Sequence, residues 1–345
     1  MDKYKQKGHT GLTNLGNTCF LNSCMQALSH TYELTEYLSS EKCEKSLKKN
    51  TSDAIITKEW NDLRDIMWKN NGTVSPNRYV YYVQQLAVEK NRELFTGWAQ
   101  NDMPEFLLFM IECIHNSVSR PITMKVMGNP ENNVDKMAIA CYKMLQDTYT
   151  KEYSEIMELF YGIYVSELMT LDGKISHTTK PESFFILDLP IPKKNATLMD
   201  CFDAFTSAEI MDGENAWLNE KTGEKESVKK RITFWNFPKI LVITLKRFSP
   251  DGERKIQDLI DCPLENMELS KYVSGYNPRQ YVYDLYAVCN HSGGPMGGHY
   301  TAFVKTADDM WIHFNDVNLE KPVQPNKIIT PKAYCLFYRK KNNLV

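Results

Sequence analysis

The feature that most constrains how this 345-residue chain folds is a change of texture near Phe160. Before it, apolar residues recur at helical spacing; after it come β-branched and aromatic runs broken by Gly, Pro and Asp turns. From Cys19, the residues Phe20, Leu21, Met25 and Leu28 mark one face of a helix, with Asn17 or Thr18 available as its cap. Tyr32 to Leu38 continues that helix or begins another after a kink, and the lysine-rich stretch Glu41 to Thr51 reads as a solvated connection. Trp60, Leu63, Ile66 and Met67 predict an amphipathic helix ended by Asn70-Asn71-Gly72, and Tyr79, Val80, Val83, Leu86 and Ala87 predict the next. Asp102 with Pro104 opens a strongly apolar helix running through Ile111, since proline is tolerated in a first turn. A loop is expected over residues 116–136 and helix again from Met137 to Leu159.

Beyond Phe160 the runs around Ile163–Leu168, Phe184–Leu187, Ile232–Phe234 and Ile240–Leu245 predict strands, joined by turns such as Asp172-Gly173 and Asp251-Gly252. Tyr281–Asn290, Tyr300–Lys305, Met310–Phe314 and Ala333–Tyr338 add four more, the middle two forming a hairpin through Ala307-Asp308-Asp309. Amphipathic helices and half-buried strands must cover one another, so the expectation is α+β, with the active site where the helical and sheet halves meet.

Composition excludes several classes. A formal net charge of −2 and a pI near 6.4 offer no electrostatic footprint for nucleic acid. No stretch approaches the roughly 18 apolar residues of a membrane span, and residues 1–10 lack the apolar run of a signal peptide. The nine cysteines are odd in number and scattered, which favours a reducing compartment; none stand in C-x-x-C spacing. Asn50, Asn71 and Asn195 begin sequons that carry no weight outside the secretory route.

The chemistry is concentrated in two segments at opposite ends of the chain. Gly11-Leu12-Thr13-Asn14-Leu15-Gly16-Asn17-Thr18-Cys19 puts a cysteine where a glycine-containing loop becomes a helix, and helix N-termini lower thiol pKa values because unpaired N–H groups stabilise negative charge. Gly16 permits backbone geometry closed to other residues; Asn14 and the N–H groups of Thr18 and Cys19 are candidate oxyanion donors. Gly297-Gly298-His299-Tyr300-Thr301-Ala302 supplies an imidazole at a strand start, suited to form the thiolate and then to protonate a leaving amine. Asn315 and Asp316, at the end of the strand expected to pair with it, are candidates to fix the ring tautomer. Alternation along the strand points them to opposite faces, so only one meets the ring directly.

Both segments resemble the cysteine and histidine boxes of the ubiquitin-specific protease family. Three further blocks carry the resemblance in family order: Gln100-Asn101-Asp102 with Glu105-Phe106-Leu107, Leu189-Pro190-Ile191-Pro192, and Leu245-Lys246-Arg247-Phe248. It implies a papain-like, right-hand fold in one catalytic domain spanning 1–345: a helical thumb (about 8–160), β fingers (about 160–240) and a β palm (about 241–340). It implies Cys19 as nucleophile, His299 as base, Asn315 as orienting residue with Asp316 supporting it or taking its place, and Asn14 at the oxyanion. It also implies that the Gly-Gly tail of ubiquitin is held by Gln100, Asp102, Gly298 and Tyr300, along a wall of Gly293, Gly294, Gly297 and Gly298. The role of Phe248 in ubiquitin contact is a carry-over, and packing is the simpler reading.

The implied activity is hydrolysis of the isopeptide or peptide bond after the C-terminal glycine of ubiquitin, by a monomer inside the cell, in cytoplasm or nucleus, acting on ubiquitinated proteins. The alternatives are a protease for another Gly-Gly-ending modifier and a non-catalytic ubiquitin-binding scaffold. No cofactor is expected, and no structural zinc: where many relatives carry two C-x-x-C pairs, Tyr161–Lys180 and Asp212–Lys230 hold no cysteine and His177 stands alone. The tip at Lys221-Thr222-Gly223-Glu224-Lys225 is expected to be a mobile polar turn. With little before Gly8 or after Arg339, no appended targeting module is expected. Loops in such a channel shift on binding, so the free state need not present an aligned pair.

Overall fold

The structure, a computed structural model, describes residues 2–220, 222–249, 251–294 and 297–341. The helical half holds α1 (Cys19–Ser29), α2 (Tyr32–Leu38), α3 (Glu41–Ser46), α4 (Ser52–Lys69), α5 (Asn77–Glu89), α6 (Met103–Val118), α7 (Asn133–Tyr149) and α8 (Glu155–Phe160), with a small parallel pair of strands, β1 (Thr10–Leu12) and β2 (Gly72–Val74). Helix α3 falls where a plain connection was expected; its Ser40 side chain accepts from the Cys43 N–H, which caps an otherwise polar turn. The helix expected over Met137–Leu159 begins earlier, at Asn133 with an Asn132 cap, and breaks between Thr150 and Ser154 into α7 and α8.

After Phe160 the chain builds two main sheets. The smaller orders β4 (Ser176–Phe184), β3 (Gly162–Met169), β9 (Val228–Asn236) and β6 (Glu209–Met211); beside it β7 (Trp217–Asn219) and β8 (Glu224–Glu226) form a ribbon closed by Gly223 N–H on Asn219 O. Lys221, in the expected tip, lies outside the described residues. The larger sheet runs β15 (Asn318–Val323), β14 (Trp311–Asn315), β13 (Gly297–Lys305), β12 (Val282–Gly294), β16 (Ala333–Lys340), β10 (Ile240–Leu245) and β5 (Ile186–Leu189), with the short β11 (Met267–Glu268) on β12. Strand β10, Ile-Leu-Val-Ile-Thr-Leu, is buried along its length because it lies between two neighbours with both faces covered. A helix, α9 (Leu198–Thr206), interrupts the strand-rich half; Thr197 and Asp200 form a reciprocal capping box at its start.

Two cores sandwich the large sheet. On one face Leu21, Met25, Phe106 and Met110 of the helical half pack with Ala302, Val304 and Phe314; on the other Phe202 of α9 packs with Phe234, Phe237, Ile243 and Leu336. Each such buried side chain contributes about 1.5–3 kcal/mol, so α1, buried at every residue, is a rigid platform for its first residue, Cys19. Arg247 is fully buried and ties three segments through carbonyls: Nε donates to Ala333 O at 2.7 Å, and Nη1 to Ile256 O at 3.0 Å and Asp258 O at 2.9 Å. No helix of the described residues is long and apolar enough to cross a membrane.

Candidate active site

Cys19 opens α1, and Gly16 holds a φ of +106° in the loop before it. Thr18 occupies the cap position but its side chain does not cap; the hydroxyl accepts from Leu15 N–H at 2.9 Å. The loop is instead organised by Asn14, whose Oδ1 accepts from Gly16 N–H at 3.0 Å and Thr18 N–H at 3.1 Å. The Thr18 N–H is therefore engaged, which removes it from the expected oxyanion donors.

The sheet brings the second segment to this point. β13 and β14 pair antiparallel with Ala302 opposite Phe314, so His299 and Asn315 meet at the open end of the hairpin. His299 Nε2 lies 2.7 Å from Asn315 Oδ1. An amide oxygen only accepts, so Nε2 carries the proton and Nδ1 keeps its lone pair. Asp316 takes a left-handed turn, φ +51°, and faces away from the ring. Its Oδ1 accepts from Asn22 Nδ2 at 2.7 Å and its Oδ2 from Asn14 Nδ2 at 3.0 Å, so one carboxylate clamps the cysteine loop to α1. Asn22 was not singled out in the sequence, although it lies one helical turn from Cys19 on the same side.

The two segments adjoin: α1 packs against β13, and Cys19 and Tyr300, the residue after His299, are buried in the same core. Burial pushes the Cys19 thiol above its ordinary pKa, and the charge of Asp316 adds to this, while the backbone donors of Tyr300, Phe20 and Cys19 pull the other way. The expected depression by the helix terminus is thus outweighed by desolvation. Among the described residues no hydrogen bond joins Cys19 Sγ to the His299 imidazole, whose Nε2 is engaged by Asn315 instead.

A cavity of about 220 Å³ leads to this point, lined by Gln100, Asp102, Phe248, Gly297, Gly298 and Tyr300 among others. Gln100 Oε1 accepts from Gly298 N–H at 2.6 Å, and its Nε2 lies 3.4 Å from Asn17 Oδ1, so one amide spans the channel between the histidine and cysteine segments. Asp102 stands at the cap position of α6 without a side-chain capping bond. Its carboxylate accepts from Tyr300 OH at 2.8 Å and Tyr334 OH at 3.1 Å. Burial raises its pKa against the pull of these hydroxyls, which leaves it ready to gain from a cation. Gly298 is required by close approach: a Cβ there would collide with Ser292 O and the His291 ring. Phe248, half-buried, sets its ring edge against His291 and Tyr334 and also lines the channel.

His177, isolated in the sequence, lies tilted against Trp217 with ring centroids 5.2 Å apart. Among the described residues there is no group of three or more His, Cys, Asp or Glu side chains placed to hold a metal.

A family model described as ubiquitin carboxyl-terminal hydrolase matches residues 10–338. Ubiquitin carboxyl-terminal hydrolase 2 of Homo sapiens is 36% identical over 351 residues, covering 98% of this chain and 56% of the relative. Ubiquitin carboxyl-terminal hydrolase 21 of Homo sapiens is 32% identical over 359 residues, covering 96% and 61%. The chain thus spans little more than half the length of these relatives. Among solved structures, the SAGA DUB module containing Ubp8, bound to monoubiquitin, matches with a TM-score of 0.75 at 22% identity over 99% of this chain and 70% of that one. This likeness shows the mixed α+β fold.

Proposed function

Because the chain belongs to the ubiquitin carboxyl-terminal hydrolase family, we propose that it is a thiol-dependent deubiquitinase that cleaves the bond after the C-terminal glycine of ubiquitin, working inside the cell, where its nine free cysteines stay reduced. The observation that carries this reading is His299 Nε2 held at 2.7 Å by Asn315 Oδ1, with the strand that bears His299 packed against the helix that Cys19 opens. It is a single catalytic unit, with helical thumb, β fingers and β palm divided near residues 160 and 240.

Ubiquitin's Gly-Gly tail threads the channel past Gly298, and its basic residues meet Asp102. Gln100 releases Gly298 N–H and bonds the tail instead. Cys19 Sγ attacks the glycine carbonyl carbon while its proton passes to His299 Nδ1, the ring nitrogen left free by Asn315. The oxyanion gains the second N–H of Asn14 Nδ2, whose first is held by Asp316, and the N–H of Cys19. The imidazolium then protonates the leaving amine, and water, activated by the same Nδ1, releases ubiquitin from the thioester. Since burial keeps the resting thiol neutral, thiolate forms only as the occupied channel aligns the pair.

The test is incubation with ubiquitin and with other Gly-Gly-ending modifiers, each carrying a C-terminal electrophile. A covalent ubiquitin adduct absent in Cys19→Ala is expected. Labelling by another modifier alone would replace the substrate, and tight ubiquitin binding without adduct would make the protein a scaffold.

A further inference from the structure

We propose that a second cavity, on the far side of His299 from the tail channel, is a specificity subsite for an acidic side chain flanking the acceptor lysine of the substrate. This rests on the deubiquitinase reading and extends it to the leaving side of the scissile bond.

The cavity encloses about 480 Å³, and its walls include His299, Asn315, His313, Asn290, Lys255 and Lys332. It shares only His291 with the lining of the tail channel. Once an acyl tail fills that channel, the amine side of the substrate must leave past Cys19 and His299, so a cavity walled by the His299–Asn315 pair is within reach of the acceptor peptide and not of ubiquitin's own tail.

Its charge is one-sided. Two ammonium groups line it and no carboxylate does. Lys332 forms no ion pair among the described residues. Lys255 donates to His291 Nδ1 at 3.0 Å and to His291 O at 2.5 Å, which leaves one N–H unused. Burial, then the nearby charges of Arg247 and Lys332, push the Lys255 ammonium down to about 8, as expected of cations gathered without a counter-ion. Two acids border it from outside the lining: Glu320, 3.8 Å from His313 Nδ1, and Asp316, whose carboxylate is held by Asn14 and Asn22. Asn290 is almost fully buried in the wall, and its Oδ1 has no hydrogen-bond partner among the described residues. A carboxylate one residue from the acceptor lysine would supply the missing counter-charge to Lys332 and Lys255.

The experiment uses ubiquitin joined through the lysine Nε to short peptides that differ only in the flanking residues, either Asp and Glu, Ala and Ser, or Arg. Each protein variant is normalised to its rate on ubiquitin–aminomethylcoumarin, whose leaving group carries no flanking residue. The native protein is expected to favour acidic over basic peptides by about tenfold in kcat/KM, Lys332→Ala to flatten that ratio, and Lys332→Glu to invert it. Lys332 is the position to change because Lys255 also supports His291 beneath the tail channel. Equal kcat/KM for acidic and basic peptides, or a preference untouched by Lys332→Glu, overturns the proposal. Inhibition by millimolar inorganic phosphate with no effect of peptide charge also overturns it, in favour of a free-anion site. If the coumarin substrate is not cleaved at all, the deubiquitinase reading itself has failed, which is a separate result.

Discussion

The helical and sheet sides of the site are held by different physics. Cys19 is placed by a few local devices: the turn at Gly16, the two N–H groups gathered by Asn14, and the buried packing of α1. His299 is placed by register, since its contact with Asn315 exists only because β13 and β14 pair with Ala302 opposite Phe314. The local side fixes the sulfur through the chain's own turn and helix; the paired side fixes the imidazole through strand register. Asp316 is the bolt between them, since it sits on the sheet side yet both its oxygens serve the helical side.

Breaking the helical side at the sulfur has the largest effect. Cys19→Ala is expected to cost about 10⁴-fold or more in kcat while ubiquitin binding, followed by calorimetry, persists. Asn14→Ala comes next, with a loss of about 10²–10³-fold in kcat from the missing oxyanion donor. Asn315→Ala, its counterpart on the sheet side, should lose up to about 10²-fold through a misoriented base, and Asn315→Asp should recover most of that. If Asn14→Ala and Asn315→Ala cost the same and also lower Tm alike, the division into a local and a paired side is wrong.

The stabilities of the two sides are sharpened by pH. His30, fully buried behind α1, and His291, beneath Gly298 in the sheet, are both held at about 4 by burial, reinforced for His291 by Lys255. An unfolded histidine titrates near 6.5. Folded-state pKa values below that mean stability is complete above about pH 6.5 and is lost as pH falls through 4. For His30 the loss between pH 7 and pH 4 reaches about 3 kcal/mol. Urea midpoints across this range should flatten in His30→Gln, and an unchanged acid limb there would shift the loss to His291. The smallest effect on activity is expected at the channel wall: Gly298→Ala meets both Ser292 O and the His291 ring and should cost about tenfold in kcat/KM, mostly through KM, with a lowered Tm because the β12–β13 pairing must shift.

The parts of this molecule legible in its sequence are those specified by neighbours in the chain. The helix beginning at Cys19, the hairpin through Asp308 and the strand ending at Asn315 each follow from periodicity and turn chemistry within a dozen residues. Helix α9 was not expected from the surrounding strand pattern, although Thr197 and Asp200, three positions apart, carry the signal of its capping box. Helix α3 was not legible, because a single buried residue, Cys43, among five polar ones shows no apolar period. The thiol of Cys19 illustrates the limit. Its helix terminus suggests a lowered pKa, yet the sign is set by how much water the rest of the fold excludes.

The sequence alone pointed to the candidate reacting residues, their order along the chain and the two structural classes that carry them, since motif chemistry and hydrophobic period are local properties. Only the tertiary structure decided that Asn315 rather than Asp316 meets the ring, that Asp102 is held by two tyrosines, and that Lys255 and Lys332 share a cavity with His299. These pairings join residues tens to hundreds of positions apart. They depend on sheet register and on burial, which no window of sequence contains.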